Sequence, residues 1–125
     1  MTENEIATKI LEVAFVLHKS LGPGLLESVY ERTLEFDLIE AGLVVQSQLG
    51  VPLAYKEIKF ETGYRLDLLV EDKVIIEVKA IEVLAPVHFA QTLTYLKLSD
   101  KRLGLLINFN CRYLKDGIHR IVNNL

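Results

Sequence analysis

The sequence predicts an α/β domain built on a mixed sheet, and three observations predict it. Apolar residues recur at helical spacing over the first forty positions. From position 45 the pattern switches to alternation, the signature of strands with one buried face. A proline-opened amphipathic stretch then separates two further apolar runs, so helices and strands interleave rather than segregate. With 125 residues, the chain fits one domain spanning positions 1–125 and leaves little room for a second.

The elements follow in order. Over residues 4–20, Ile6, Ile10, Val13, Ala14 and Leu17 share a helical face, and Gly22-Pro23-Gly24 stops the helix. A second helix runs from about 25 to 41, with Leu26, Val29, Leu34, Leu38 and Ile39 apolar and Gly42 as its terminator. Residues 45–55 alternate as a strand. Gly50 and Pro52 within it imply a bulge or an edge position. Residues 57–61 form a further strand or continue the first, up to a turn expected at Thr62-Gly63. Tyr64 to Ala80 reads as a hairpin, with Glu71-Asp72-Lys73 as its loop. Pro86 opens a third helix to about Leu98, followed by a buried strand at 103–109 and a last short strand at 118–122.

Half of the residues are hydrophobic and a quarter charged, which excludes a disordered or fibrous chain. The single cysteine, Cys111, cannot form an internal disulfide and reads as an inert thiol. The polar, acidic start is unlike a signal peptide, and no apolar run reaches membrane-spanning length, so the expectation is a cytoplasmic protein with no membrane partner. The net charge of −3 is unlike that of a DNA-coating protein, but the charge is uneven. Residues 1–40 carry eight acidic and three basic side chains, whereas 97–120 carry six basic and two acidic. A polyanion could meet the basic part, or the two could be solvated faces of opposite sign.

The chemistry concentrates on the hairpin. With its loop at 71–73, Val70 pairs with Val74, Asp67 with Glu77, and Arg65 with Lys79. One face is then the core, and the other carries Arg65, Asp67, Glu77 and Lys79. Two carboxylates about 5 Å apart repel unless a cation lies between them. A divalent ion such as Mg²⁺ suits one or two carboxylates plus water and phosphate oxygens. A surface ladder of ion pairs among the four residues explains the same spacing. In the third helix His88, Gln91 and Tyr95 share a face, as do Glu27, Tyr30 and Glu31 in the second. Glu27 could be delivered toward the metal, while Glu31 reads as helix surface.

Gly24-Leu-Leu-Glu27-Ser-Val-Tyr30 resembles the motif that names the GxxExxY family of the PD-(D/E)XK nuclease superfamily. Tyr64-Arg-Leu-Asp67 resembles that superfamily's first catalytic strand, and Glu77-Val-Lys79 its (D/E)xK strand. Gln91-Thr-Leu-Thr-Tyr95 is similar to the QxxxY motif of the RecB-like branch. The proline before the first acidic residue is replaced by Leu66. The resemblance implies a restriction-endonuclease-like core of helix, three strands, helix, strand, with the sheet flanked by helices. It implies that Asp67 and Glu77 hold Mg²⁺ or Mn²⁺ with the Val78 carbonyl as a further ligand, and that Glu27 completes the site directly or through water. Lys79 would position the attacking water, and Gln91 and Tyr95 would hold the lysine or the substrate phosphate. Tyr30 would support packing.

The function expected is thus metal-dependent hydrolysis of phosphodiester bonds, with DNA as the nucleic-acid partner. The alternative is a non-catalytic nuclease-fold module that binds nucleic acid or a protein. A charged oligomer interface is a third reading, and a homodimer is compatible with all three.

Overall fold

A computed structural model describes all residues, 1–125. Three helices, α1 (Glu3–Leu21), α2 (Glu27–Glu40) and α3 (Pro86–Ser99), flank one five-stranded sheet. Its strands, β1 (Val45–Tyr55), β2 (Ile58–Val70), β3 (Val74–Lys79), β4 (Leu103–Asn108) and β5 (Ile118–Val122), lie in sequence order. All neighbours are antiparallel except β3 and β4, which run parallel because α3 carries the chain across between them. The sheet is therefore mixed, as the pattern predicts. No helix is long and apolar enough to cross a membrane.

The helix starts and stops are local chemistry. Thr2 caps α1: its hydroxyl accepts from the Glu5 N–H at 3.2 Å, and the Glu5 carboxylate accepts from the Thr2 N–H at 3.1 Å. Gly42 ends α2 with φ +92°, a left-handed value that favours glycine. Pro86 opens α3, where the His88 ring nitrogen Nδ1 accepts from the Ala85 N–H at 2.8 Å. That bond makes His88 a capping residue.

Both faces of the sheet are covered. Ile6, Ile10, Ala14, Leu17, Tyr30, Leu34 and Leu38 from α1 and α2 pack on Leu68, Val70, Ile76, Val78, Leu105 and Ile107. On the opposite face Leu96 of α3 packs on Tyr64, Leu66, Leu69 and Ile75. Gly104 lets α3 come close, since a Cβ there would stand 3.0 Å from the Thr92 methyl. β3 and β4 are buried along nearly their whole length, as expected of a parallel pair covered on both sides.

Three local expectations are corrected. The chain turns at Lys56-Glu57, where Lys56 has φ +53°, and the turn expected at Thr62-Gly63 is absent because β2 runs unbroken from Ile58 to Val70. Thr62 and Gly63 instead sit in β2, where the register with β1 shifts beside Pro52. A Cβ at Gly63 would lie 2.3 Å from that of Leu53, so glycine is required for the two strands to cross there. The hairpin loop at Glu71-Asp72-Lys73 is as expected, but the face opposite the main core is not a solvated one: it is the layer beneath α3. Nor does Arg65 pair with Lys79. It pairs with Gly50 of β1, because β2 and β3 remain paired only over Leu68–Val70 and Val74–Ile76.

Candidate active site

The site begins where β2 and β3 part. Their ladder runs through Val70–Val74, Leu69–Ile75 and Leu68–Ile76 and then stops. At the next position a side chain takes over the ladder's role: Oδ2 of Asp67 accepts from the Val78 N–H at 2.8 Å. β3 continues beside β4 to Lys79–Asn108. The parting of the strands leaves Asp67, Glu77 and Lys79 at the mouth of a fork, with Glu77 beneath the α3 layer.

Glu77 is 4 % exposed, and its Oε1 has no hydrogen-bond partner. Burial pushes its carboxyl up to about 10, and the neighbouring negative charge of Asp67 adds to that. The positive charge of Lys79 offsets only part of the effect. No ion pair joins Asp67 or Glu77 to Arg65 or Lys79; the molecule's ion pair is Lys101 with Asp72, at 3.1 Å across the hairpin loop. The charged residues are therefore not a surface ladder of ion pairs. An orphaned buried carboxylate oxygen beside a second carboxylate is a site that a cation would complete.

The helices add their own groups. Tyr95 of α3 stacks on Tyr64 with ring centres 4.9 Å apart, and its hydroxyl accepts from the Gln91 amide at 3.1 Å. Burial raises the Tyr95 hydroxyl's pKa, and the Glu77 charge raises it further, which puts the phenol within electrostatic reach of the carboxylates. From the α2 side Glu31 reaches toward Asp67. Burial raises its carboxyl's pKa, with Asp67 and Glu27 pushing the same way. Both Glu31 oxygens accept from the Gln48 amide, at 3.0 and 2.8 Å. Glu27 is exposed at the first turn of α2 and is linked to the cluster through its effect on Glu31. Val78 contributes its N–H to Asp67, and its side chain lies in the main core.

Two residues go beyond the sequence reading. Glu31, read there as helix surface, faces Asp67. Gln48 carried no signal in the sequence, since its role depends on a strand crossing beneath α2. Tyr30, by contrast, is structural as expected. It is fully buried, stacks on Phe109 at 4.8 Å, donates to the Gly22 carbonyl at 2.5 Å and accepts from the Leu25 N–H at 3.1 Å. It thereby locks the loop that leads into α2.

Supporting bonds hold the strand ends. The Lys79 carbonyl accepts from the Phe109 N–H at 2.8 Å. The Asn108 amide clamps Ile81, donating to its carbonyl at 2.8 Å and accepting from its N–H at 3.1 Å, so the chain beyond Lys79 leaves along a fixed path. Cys111 is half-buried with its thiol's pKa raised by burial, in line with an inert role. A groove of about 740 Å³ lies elsewhere, between α1 and α2. It is lined by residues such as Leu21, Val29 and Phe36 and includes none of these site residues.

The donor set suits a hard divalent cation. Asp67 and Glu77 are carboxylates, and no three Asp, Glu, His or Cys side chains stand together as a finished cage. Mg²⁺ and Mn²⁺ accept such a set, filling the remaining positions with water and phosphate oxygens. No curated protein and no solved structure gives a significant match to the chain. A family model does, over residues 4–121, which include every site residue named above. With its restriction-endonuclease-like mixed sheet and forked acidic hairpin, the chain belongs to the PD-(D/E)XK nuclease superfamily.

Proposed function

We propose that residues 1–125 act as one metal-dependent nuclease domain that hydrolyses phosphodiester bonds of DNA in the cytoplasm. Nuclease-type function follows from the superfamily, whose members generally hydrolyse phosphodiesters and usually use divalent metals. The observation that carries the finer reading is the buried, unpartnered Oε1 of Glu77 beside Asp67 and Lys79. The motif Gly24 to Tyr30 supports placement in the GxxExxY family, and Gln91 with Tyr95 supports the RecB-like branch.

In this reading Asp67, Glu77 and the Val78 carbonyl hold Mg²⁺ or Mn²⁺, with Glu27 at the rim. When bound, the ion polarises the scissile phosphate and lowers the pKa of water. The Lys79 ammonium orients the attacking water and stabilises charge developing on the phosphate oxygens. The water oxygen forms the new bond to phosphorus as the bond to the leaving oxygen breaks, and the water's proton passes through solvent to that leaving oxygen. Tyr95, with its hydroxyl held by Gln91, binds a phosphate oxygen or the lysine. Pairing of the sheet's edge strands, β1 or β5, would give a homodimer.

The test is cleavage of single- and double-stranded DNA, and of RNA, in Mg²⁺, Mn²⁺ and EDTA. Cleavage in the metals should fall roughly 10²- to 10³-fold in Asp67→Ala and Lys79→Ala. Equal cleavage by wild type and both variants would overturn the assignment. Binding of DNA without cleavage would favour a non-catalytic module.

A further inference from the structure

We infer that Gln48 is a positioning residue: it holds Glu31 in the site as a third carboxylate, which reaches the divalent cation through a water. The inference rests on the metal-dependent reading above.

Gln48 is placed with care. In the β1–β2 ladder Ser47 pairs with Leu68 and Leu49 with Leu66, so Gln48 lies across from Asp67 at a position the ladder skips. Its φ is +48°, a left-handed value within a strand and at a residue other than glycine. Such a conformation is disfavoured for a residue with a Cβ and persists where its surroundings enforce it. Here its side chain is turned to α2, and its amide donates to both oxygens of Glu31, 17 residues earlier in the chain.

Glu31 needs that restraint. Asp67 and Glu27 both act on it as like charges, and a half-exposed glutamate among them would otherwise swing into water. An amide is the side chain suited to hold it: it donates hydrogen bonds without neutralising the charge, as a lysine or arginine would. The cluster has a second mark of a ligand site in Glu77, more than nine-tenths buried with an oxygen unpartnered beside Asp67. No three acidic side chains stand together as a finished cage, and the contact proposed for Glu31 accordingly runs through water rather than directly. Partners of this kind typically set metal affinity by 10- to 100-fold.

The experiment is calorimetric titration of Mn²⁺ into wild type, Gln48→Gly, Gln48→Asn, Glu31→Ala and the Gln48→Gly/Glu31→Ala double variant, each checked by thermal unfolding. Glycine relieves the left-handed backbone, and asparagine tolerates it but is one methylene too short to reach Glu31. Both should unfold as cooperatively as wild type yet bind Mn²⁺ about 10-fold more weakly. The double variant should be no weaker than Glu31→Ala, since both changes remove one device. Wild-type affinity in Gln48→Gly, or losses that multiply in the double variant, would overturn the inference and leave the nuclease reading standing. A wild-type protein that binds no Mn²⁺ would overturn both.

Discussion

The two ends of the β2–β3 hairpin are built to opposite rules. At the turn end, three residue pairs from Leu68–Ile76 to Val70–Val74 are fully paired and buried. The loop beyond is tied down by backbone and side-chain bonds between Glu71 and Val44, at 2.8 and 2.6 Å. At the open end, pairing stops, Asp67 substitutes its carboxylate for a backbone carbonyl, and Glu77 keeps a buried oxygen unsatisfied. Apolar burial at one end offsets an electrostatic cost at the other. The boundary between them is a single residue step, from Leu68 to Asp67. Across this step the even-numbered side chains of β2 change face: Leu68 packs under α1 and α2, Leu66 under α3.

The sharpest way to break this comparison is at the turn end. Ile76→Ala should destabilise the fold by about 2–5 kcal/mol, because a fully buried side chain leaves a cavity. Its side chain points away from Glu77, so Mn²⁺ affinity of the folded protein should be unchanged. Denaturant unfolding and metal titration of the same preparation check the two halves of that statement.

At the open end the sign reverses. Glu77 has a folded-state pKa of about 10 against an ordinary 4.5. Between those values the native protein without metal holds a proton that the unfolded chain has lost. Stability therefore falls as pH rises through that window, by up to about 3 kcal/mol at pH 7. Glu77→Gln should remove the slope and be the more stable protein in EDTA at pH 8, with little difference near pH 4.5. Mg²⁺ should narrow the gap by stabilising only the wild type. Thermal unfolding at the two pH values, with and without the ion, measures it; a wild type at least as stable as the variant at pH 8 in EDTA would refute the account.

The smallest effect concerns the helical motif. Tyr30→Phe removes a hydroxyl bonded to Gly22 and Leu25, and should cost about 1–2 kcal/mol. Cleavage per folded molecule should not change, which would place the motif's tyrosine with the structural half of the molecule.

Much of the fold was legible because its signals are local. Gly42 and Pro86 mark helix limits through backbone conformation, and the loop at 71–73 fixed the first three pairs of the hairpin. The turn at Lys56-Glu57 was missed because neither residue is a turn former, while Thr62-Gly63 has the composition of one. In the structure Gly63 serves close strand contact instead. Asp67, Glu77 and Lys79 were legible as a set by their two-residue alternation. Gln48 and Glu31 were not, since nothing within either segment shows that an α2 carboxylate will meet a β1 amide.

By itself, then, the sequence determined the order of the elements, the mixed sheet, the hairpin loop and the three residues at the fork, because periodicity and turn chemistry act over a few neighbouring positions. The tertiary structure decided that β2 leaves β3 at Asp67, that Glu77 is buried, and that Gln48 of β1 meets Glu31 of α2. Those outcomes depend on strands and helices far apart in the chain competing for the same space, and on the cost of desolvating charge where they meet.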